Sequence, residues 1–165
     1  WVPFNEGWGQ FDARAATAAL RALDDTRLID EASGWYDQGG GDVDSRHNYF
    51  YPLRIRPGGR TVALSEYGGI AWPMPGHEPP GKTYGYGTAK DKADLTKRYK
   101  MLQWKTILPQ LGRGLSALVY TQLTDVEDEV NGLFTYDRAA LKPEAAAVRS
   151  CNAALAAEFA KVTAK

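Results

Sequence analysis

The sequence predicts an α/β protein, built from strand–helix units around a parallel sheet. Three observations carry that prediction. Apolar, β-prone runs recur at residues 1–5, 27–30, 43–49, 61–65 and 115–121. Alanine-rich or amphipathic stretches with helical spacing lie between or after them, at 13–23, 91–111 and from 142 onward. Glycine and proline gather at the joints, where the chain has to turn.

Taken in order, residues 1–5 read as a strand and 6–11, with Gly7 and Gly9, as the loop beyond it. Asp12 stands where an N-cap belongs, and Ala16, Leu20 and Leu23 share one face of a helix over 13–23. Asp24-Asp25-Thr26 breaks that helix before the second apolar run at 27–30. Strand, helix and strand within thirty residues is the βαβ rhythm of a parallel sheet. Residues 33–42, with Gly39-Gly40-Gly41, form a loop, and 43–49 a third strand. Pro52, Pro57 and Gly58-Gly59 leave room for only a turn or two before the strand at 61–65. Residues 71–90 are a long Gly- and Pro-rich loop, either functional or a mobile surface excursion. Leu95, Tyr99, Leu102, Ile107 and Leu111 then mark a helix over 91–111, ended by Gly112 and Gly114. The last strand covers 115–121 and is followed by an acidic loop over 122–135. Pro143 suits the first turn of a final helix, where its missing N–H costs nothing.

Composition bounds the class. A chain of 165 residues has room for one domain with a sizeable core. Twenty basic and twenty acidic side chains cancel, so no electrostatic footprint for nucleic acid or an anionic membrane is present. No apolar segment has the length to span a bilayer. The one cysteine, Cys151, excludes an internal disulfide and reads as a small apolar residue on a helix. The chain opens directly on a strand without Met or a signal peptide, and the expectation is a mature product or a piece of something longer.

Two stretches carry chemistry. Trp1-Val2-Pro3-Phe4-Asn5-Glu6-Gly7-Trp8 places a carboxylate where an apolar strand ends, beside an amide and tryptophans. Aromatic faces stack on sugar rings, an amide holds a hydroxyl and a carboxyl moves a proton. Thr61-Val62-Ala63-Leu64-Ser65-Glu66-Tyr67-Gly68-Gly69 repeats the design sixty residues later. An Asn-Glu pair alone is more often a plain turn. Two glutamates, each just past a strand, point instead to the paired carboxylates of a retaining glycosidase.

Asn5-Glu6 and Ser65-Glu66-Tyr67-Gly68 resemble the acid/base and nucleophile motifs of glycoside hydrolase family 2, the β-galactosidase and β-glucuronidase family. The resemblance extends through Leu28-Ile29-Asp30-Glu31-Ala32-Ser33-Gly34-Trp35 and Asp44-Ser45-Arg46-His47-Asn48-Tyr49. It continues in Tyr120-Thr121-Gln122 and in Asn131-Gly132-Leu133-Phe134-Thr135-Tyr136-Asp137-Arg138, so it spans most of the chain.

The resemblance implies a partial (β/α)8 barrel, roughly strands four to eight with their helices. Strands one to three and the N-terminal β-domains would then be absent from residues 1–165. It implies Glu6 as general acid/base and Glu66 as nucleophile. Trp1, Phe4 and Trp8 would supply the apolar setting that keeps a proton on Glu6. Asn5 would bond the sugar 2-hydroxyl, and Trp8, His47, Asn48, Tyr49 and Tyr67 would line the substrate site, with Tyr67 either orienting Glu66 or packing. Tyr120 stands where relatives present a tryptophan floor, and Gln122, with Asp125, would recognise hydroxyls. Glu127, Asp128 and Glu129 read as a solvated acidic loop. No cofactor or metal is implied. The expected partners are a β-glycoside substrate and the missing part of its own protein, or another copy through the exposed strand edges.

The expected function is a retaining exo-β-glycosidase, with the chain alone inactive. The alternatives are a non-catalytic carbohydrate-binding remnant and a retaining β-glycanase of the same barrel clan. The intact glutamate pair favours an enzyme, and the stretch from Tyr120 to Arg138 favours family 2.

Overall fold

The computed structural model describes residues 1–50 and 52–164. Among them the order is β1 (Phe4–Asn5), α1 (Ala13–Leu23), β2 (Ala32–Ser33), β3 (Val43–Asn48), β4 (Thr61–Gly68) and α2 (Lys92–Met101). A π-helical stretch (Leu102–Ile107), α3 (Leu108–Leu111), β5 (Leu115–Thr121) and α4 (Ala145–Thr163) complete it. The chain forms two compact units. The first comprises Trp1–Asn48, Arg54–Tyr67 and Arg113–Val119, and the second Tyr49–Leu53, Gly68–Gly112 and Tyr120–Lys165.

The strands do not form part of a barrel. They make two small parallel sheets, β1-β2 and β3-β4-β5, so the expectation of barrel strands four to eight is overturned. The physical reason lies in the first unit. β1 and β2 are two residues each, paired Phe4 with Ala32 and Asn5 with Ser33. The apolar run at 27–30 is bonded, but not as a ladder strand. Ile29 donates its N–H to the Asp42 carboxylate at 2.7 Å and accepts from the Asp42 N–H at 2.8 Å. Asp30 N–H goes to the Trp1 carbonyl at 2.7 Å. Between β2 and β3 a side chain stands in for the ladder, with Gly34 N–H on Ser45 Oγ at 3.4 Å. The Asp42 carboxylate and the Ser45 hydroxyl take the Ile29 and Gly34 N–H groups in place of ladder carbonyls, and the sheet is left split.

The helices follow the periodicity with local departures. α1 has the expected bounds, but Ala13 and Thr17 are its buried residues and Leu23 is exposed. Asp12 sits in the left-handed region at φ 39° and makes no side-chain cap. Asp91 does cap α2, accepting the Asp94 N–H at 2.8 Å. The helix expected over 91–111 is widened to a π-turn just before Pro109, whose missing N–H interrupts the ladder. Leu95, Tyr99, Ile107 and Leu111 are buried as their spacing predicts.

In the second unit the long loop is stitched down rather than loose. Trp72 N–H reaches the Val130 carbonyl at 2.9 Å, and Ala89 N–H the Ala71 carbonyl at 2.7 Å. Trp72, Ala89 and Leu95 form a buried cluster with Ile70 and Met74 against it. Below the acidic loop, Lys142 is fully buried and donates to both oxygens of Asp125, at 2.7 and 3.0 Å, and to the Val130 carbonyl at 2.8 Å. Burial pushes the Asp125 carboxyl up and the Lys142 ammonium down, against the pull of their contact. Asp125 is therefore a structural anchor and not a free hydroxyl-binding group. Cys151 is buried on α4, and burial raises its thiol. No helix among the described residues is long and apolar enough to cross a membrane.

Candidate active site

Three strand ends in the first unit bring Glu6, His47 and Glu66 together. Glu6 follows β1 directly, at a left-handed φ of 54° that an ordinary residue adopts only when its surroundings hold it there. Its N–H donates to the Ser33 carbonyl at 2.9 Å, which extends the β1-β2 pairing by one bond. Gly7 then turns at φ 78°, and its missing Cβ leaves room for the Tyr36 ring.

β3 and β4 run parallel with Val43 opposite Thr61 and Arg46 opposite Leu64. The register then slips, so that His47 faces Glu66 and Asn48 faces Tyr67. Ser65 is the extra residue of this bulge, which re-aims the two side chains that follow. His47 also needs Gly34, where a Cβ would come within 2.5 Å of the imidazole ring. Gly34 sits at φ +86°, a second reason for glycine there.

The resulting geometry is compact. His47 Nδ1 lies 2.7 Å from Glu6 Oε1 and 3.4 Å from Glu66 Oε2. One oxygen of each carboxylate and Nδ1 all lie within 4.8 Å of one another. The His47 side chain is fully buried, while the Glu6 and Glu66 side chains are 22% and 30% exposed. The imidazole is thus a fixed wall, and the two carboxylates reach solvent. The same three groups are near enough to offer one ligand atom each to a cation. Their direct contacts make them partners of each other first.

Behind the imidazole runs a chain of hydroxyls. His47 Nε2 is 3.0 Å from Ser33 Oγ, which donates to Ser65 Oγ at 3.1 Å. Ser65 Oγ lies 2.6 Å from Ser45 Oγ, and Ser45 donates to Asp30 Oδ2 at 2.7 Å. The sequence reading has all four within its motif stretches but gives none of them a role, because isolated serines and an aspartate carry no spacing signal.

The remaining expected site residues divide between the units. In the first, Asn5 is exposed and its carbonyl accepts the Trp8 N–H at 3.0 Å. Trp8 is 80% exposed, so it does not wrap Glu6 in an apolar pocket. Trp1 turns its indole N–H to Asp24 at 2.9 Å, and the Phe4 ring packs edge-on to Phe11 at 5.7 Å. The neighbour that Glu6 gains is His47 instead. Trp35, which was not expected in the site, lies 6.0 Å from the His47 ring. Asn48 is half-buried at the end of β3, and Tyr67 is buried next to Glu66.

In the second unit, Tyr49 stacks on Tyr86 at 4.2 Å, and Phe50 and Tyr84 meet Tyr86 edge-on. Tyr120 packs edge-on to Tyr99 at 5.2 Å. Gln122 donates to Asn131 Oδ1 at 2.8 Å and to Glu129 Oε2 at 3.2 Å, so both protons of its amide are engaged within the acidic loop. Glu129 is correspondingly a bonded member of that loop and not merely a solvated charge. No protein-family model matches this chain, and no curated protein matches it.

Proposed function

We propose that the first unit carries the catalytic pair of a retaining β-glycosidase. The observation that supports it best is the separation of the two carboxylates, with oxygens of Glu6 and Glu66 within 4.8 Å of each other. Retaining enzymes hold their carboxyls roughly 5–5.5 Å apart, whereas inverting ones leave about 6.5–9.5 Å for a water. The motif resemblance to glycoside hydrolase family 2 supports the same reading and assigns the roles.

In the first step Glu66 attacks the anomeric carbon while Glu6 gives its proton to the departing oxygen. The C–O bond to the leaving group breaks as the glycosyl ester forms on Glu66. In the second step Glu6, now a carboxylate, takes a proton from water as it attacks the ester. The sugar leaves with its configuration retained. His47 Nδ1, at 2.7 Å from Glu6 Oε1, is the group in hydrogen-bond contact with the acid/base carboxyl.

Trapping tests the reading. A dinitrophenyl 2-deoxy-2-fluoro-β-glycoside, tried in the galacto, gluco, manno and glucurono series, should add one fluorosugar to the peptide bearing Glu66. A label on another residue, or none in any series, contradicts it.

A second reading, binding of carbohydrate without turnover, is favoured by the exposed rings of Trp8, Tyr36 and Trp35 in the same unit. Exposed aromatic faces hold sugars by stacking. It predicts affinity for glycosides with no ester formed.

A further inference from the structure

Each serine hydroxyl in the chain behind His47 carries one proton. That of Ser65 has two acceptors within reach, Ser45 Oγ at 2.6 Å and the Arg46 carbonyl at 3.4 Å, and is spent whichever it takes. Ser45 Oγ donates to Asp30 Oδ2 at 2.7 Å, so its one proton is committed there. Ser45, its own proton spent, can only accept across the 2.6 Å to Ser65, as it accepts from the Gly34 N–H at 3.4 Å. Ser65 accepts in turn from Ser33 at 3.1 Å. Ser33 then has only a lone pair to offer to His47 Nε2 at 3.0 Å. Nε2 must therefore carry a hydrogen.

The consequence reaches the carboxylates. With Nε2 protonated, the 2.7 Å contact between Nδ1 and Glu6 Oε1 needs one further proton, on nitrogen or on oxygen. The groups facing Nδ1 are Glu6 and, at 3.4 Å, Glu66; Ser33 faces Nε2, and Trp35 stands 6.0 Å from the ring. The nearest other charges on β3, Asp44 and Arg46, pair with one another at 2.7 Å.

We propose that Asp30, Ser45, Ser65 and Ser33 form a positioning relay that locks His47 in its Nε2–H form. The Glu6–His47 pair thereby holds the proton that the leaving group takes. Resting on the glycosidase reading, this adds four residues that touch no substrate. It also explains why a partly exposed Glu6 can serve as the acid without the apolar pocket that its neighbouring tryptophans were expected to build. If the relay ran the other way, Ser33 would donate to Nε2 and the only ring proton would sit on Nδ1. Glu6 would then be held as a carboxylate, with no proton to give.

The ring proton can be read directly by NMR on 15N-histidine-labelled protein. The chain has two histidines, and His77, bonded to Asp137 at 2.7 Å, serves as the internal control. Long-range 1H–15N correlations at neutral pH should show His47 Nε2 as a protonated, pyrrole-type nitrogen. Ser65→Ala cuts the relay without touching His47. It should lose that pattern and give the Nδ1–H tautomer, while the His77 signals stay in place. Ser65→Thr, which keeps the hydroxyl, should restore it. On an alkyl β-glycoside, Ser65→Ala should also lose up to about 10²–10⁴-fold in kcat/KM, the span of a general acid. An unprotonated Nε2 in the wild-type protein overturns the relay by itself, even if the variants fail to fold. So does a His47 pattern in folded Ser65→Ala that matches the wild type. No sugar is needed for the NMR readout. An Nε2–H His47 in a protein without glycosidase activity would therefore sink the functional reading and leave the relay standing.

Discussion

His47 faces Glu66 across β3 and β4 because Ser65 is bulged out of register between them. Without that slip the residue opposite His47 would be Ser65. The bulge thus does two things at once: it aligns imidazole with carboxylate, and it turns the Ser65 hydroxyl toward Ser33 and Ser45.

Gly34 sets the other wall of the imidazole. Gly34→Ala puts a methyl group within 2.5 Å of the His47 ring and forces a side chain onto φ +86°. The backbone alone costs about 1–3 kcal/mol. Denaturant unfolding should show at least that loss, and any folded fraction should have the His47 NMR signals displaced.

Glu66→Gln keeps size and hydrogen bonding but cannot form the glycosyl ester. Hydrolysis of an aryl β-glycoside should fall to the background rate, while affinity for the sugar, measured by calorimetry, changes little. Undiminished turnover contradicts the nucleophile assignment.

How much of this was legible in the sequence depends on how local each cause is. Helix α1 and strand β5 fall where the pattern puts them, because alanine runs, apolar runs and the breakers at Asp24 and Gly114 act within a few residues. The split of the sheet was not legible. It rests on Asp42 and Ser45 bonding backbone groups twelve or so residues away, and a strand-like run at 27–30 looks the same either way. The barrel expectation came from resemblance and falls with that split. At the site, Glu6 and Glu66 stood out as carboxylates at strand ends. The partnership of His47 with Glu6 did not, since it needs the one-residue slip at Ser65 and the bare Cα of Gly34.

The buried Lys142–Asp125 pair should dominate the stability of the second unit. Lys142→Met strands a buried carboxylate and should cost about 3–5 kcal/mol in denaturant unfolding. The double change Lys142→Met with Asp125→Leu should recover most of the loss. If the single change is neutral, Lys142 is not the partner that Asp125 needs.

Acid should destabilise the protein below about pH 4. Arg21 and the Ile29 N–H hold the Asp42 carboxyl below its ordinary 3.8, Arg98 does the same for Asp94, and the Thr135 hydroxyl for Asp137. A lowered folded pKa means that the unfolded chain binds more protons between that value and 3.8. Stability is therefore present above the window and lost as pH falls through it. Melting curves from pH 6 to 2.5 should show that slope, and Asp42→Asn should flatten it. An unchanged slope in that variant would contradict the Arg21 pairing.

The paired-carboxylate mechanism is tested most directly by azide rescue of Glu6→Ala. An acid/base residue matters most with a poor leaving group, because protonation then assists departure. The variant should lose far more rate on an alkyl β-glycoside than on a dinitrophenyl one. With the activated substrate, azide needs no general base and should restore turnover, giving a β-configured glycosyl azide. Equal loss on both substrates, with no azide product, would make Glu6 a structural residue and remove the acid from the mechanism.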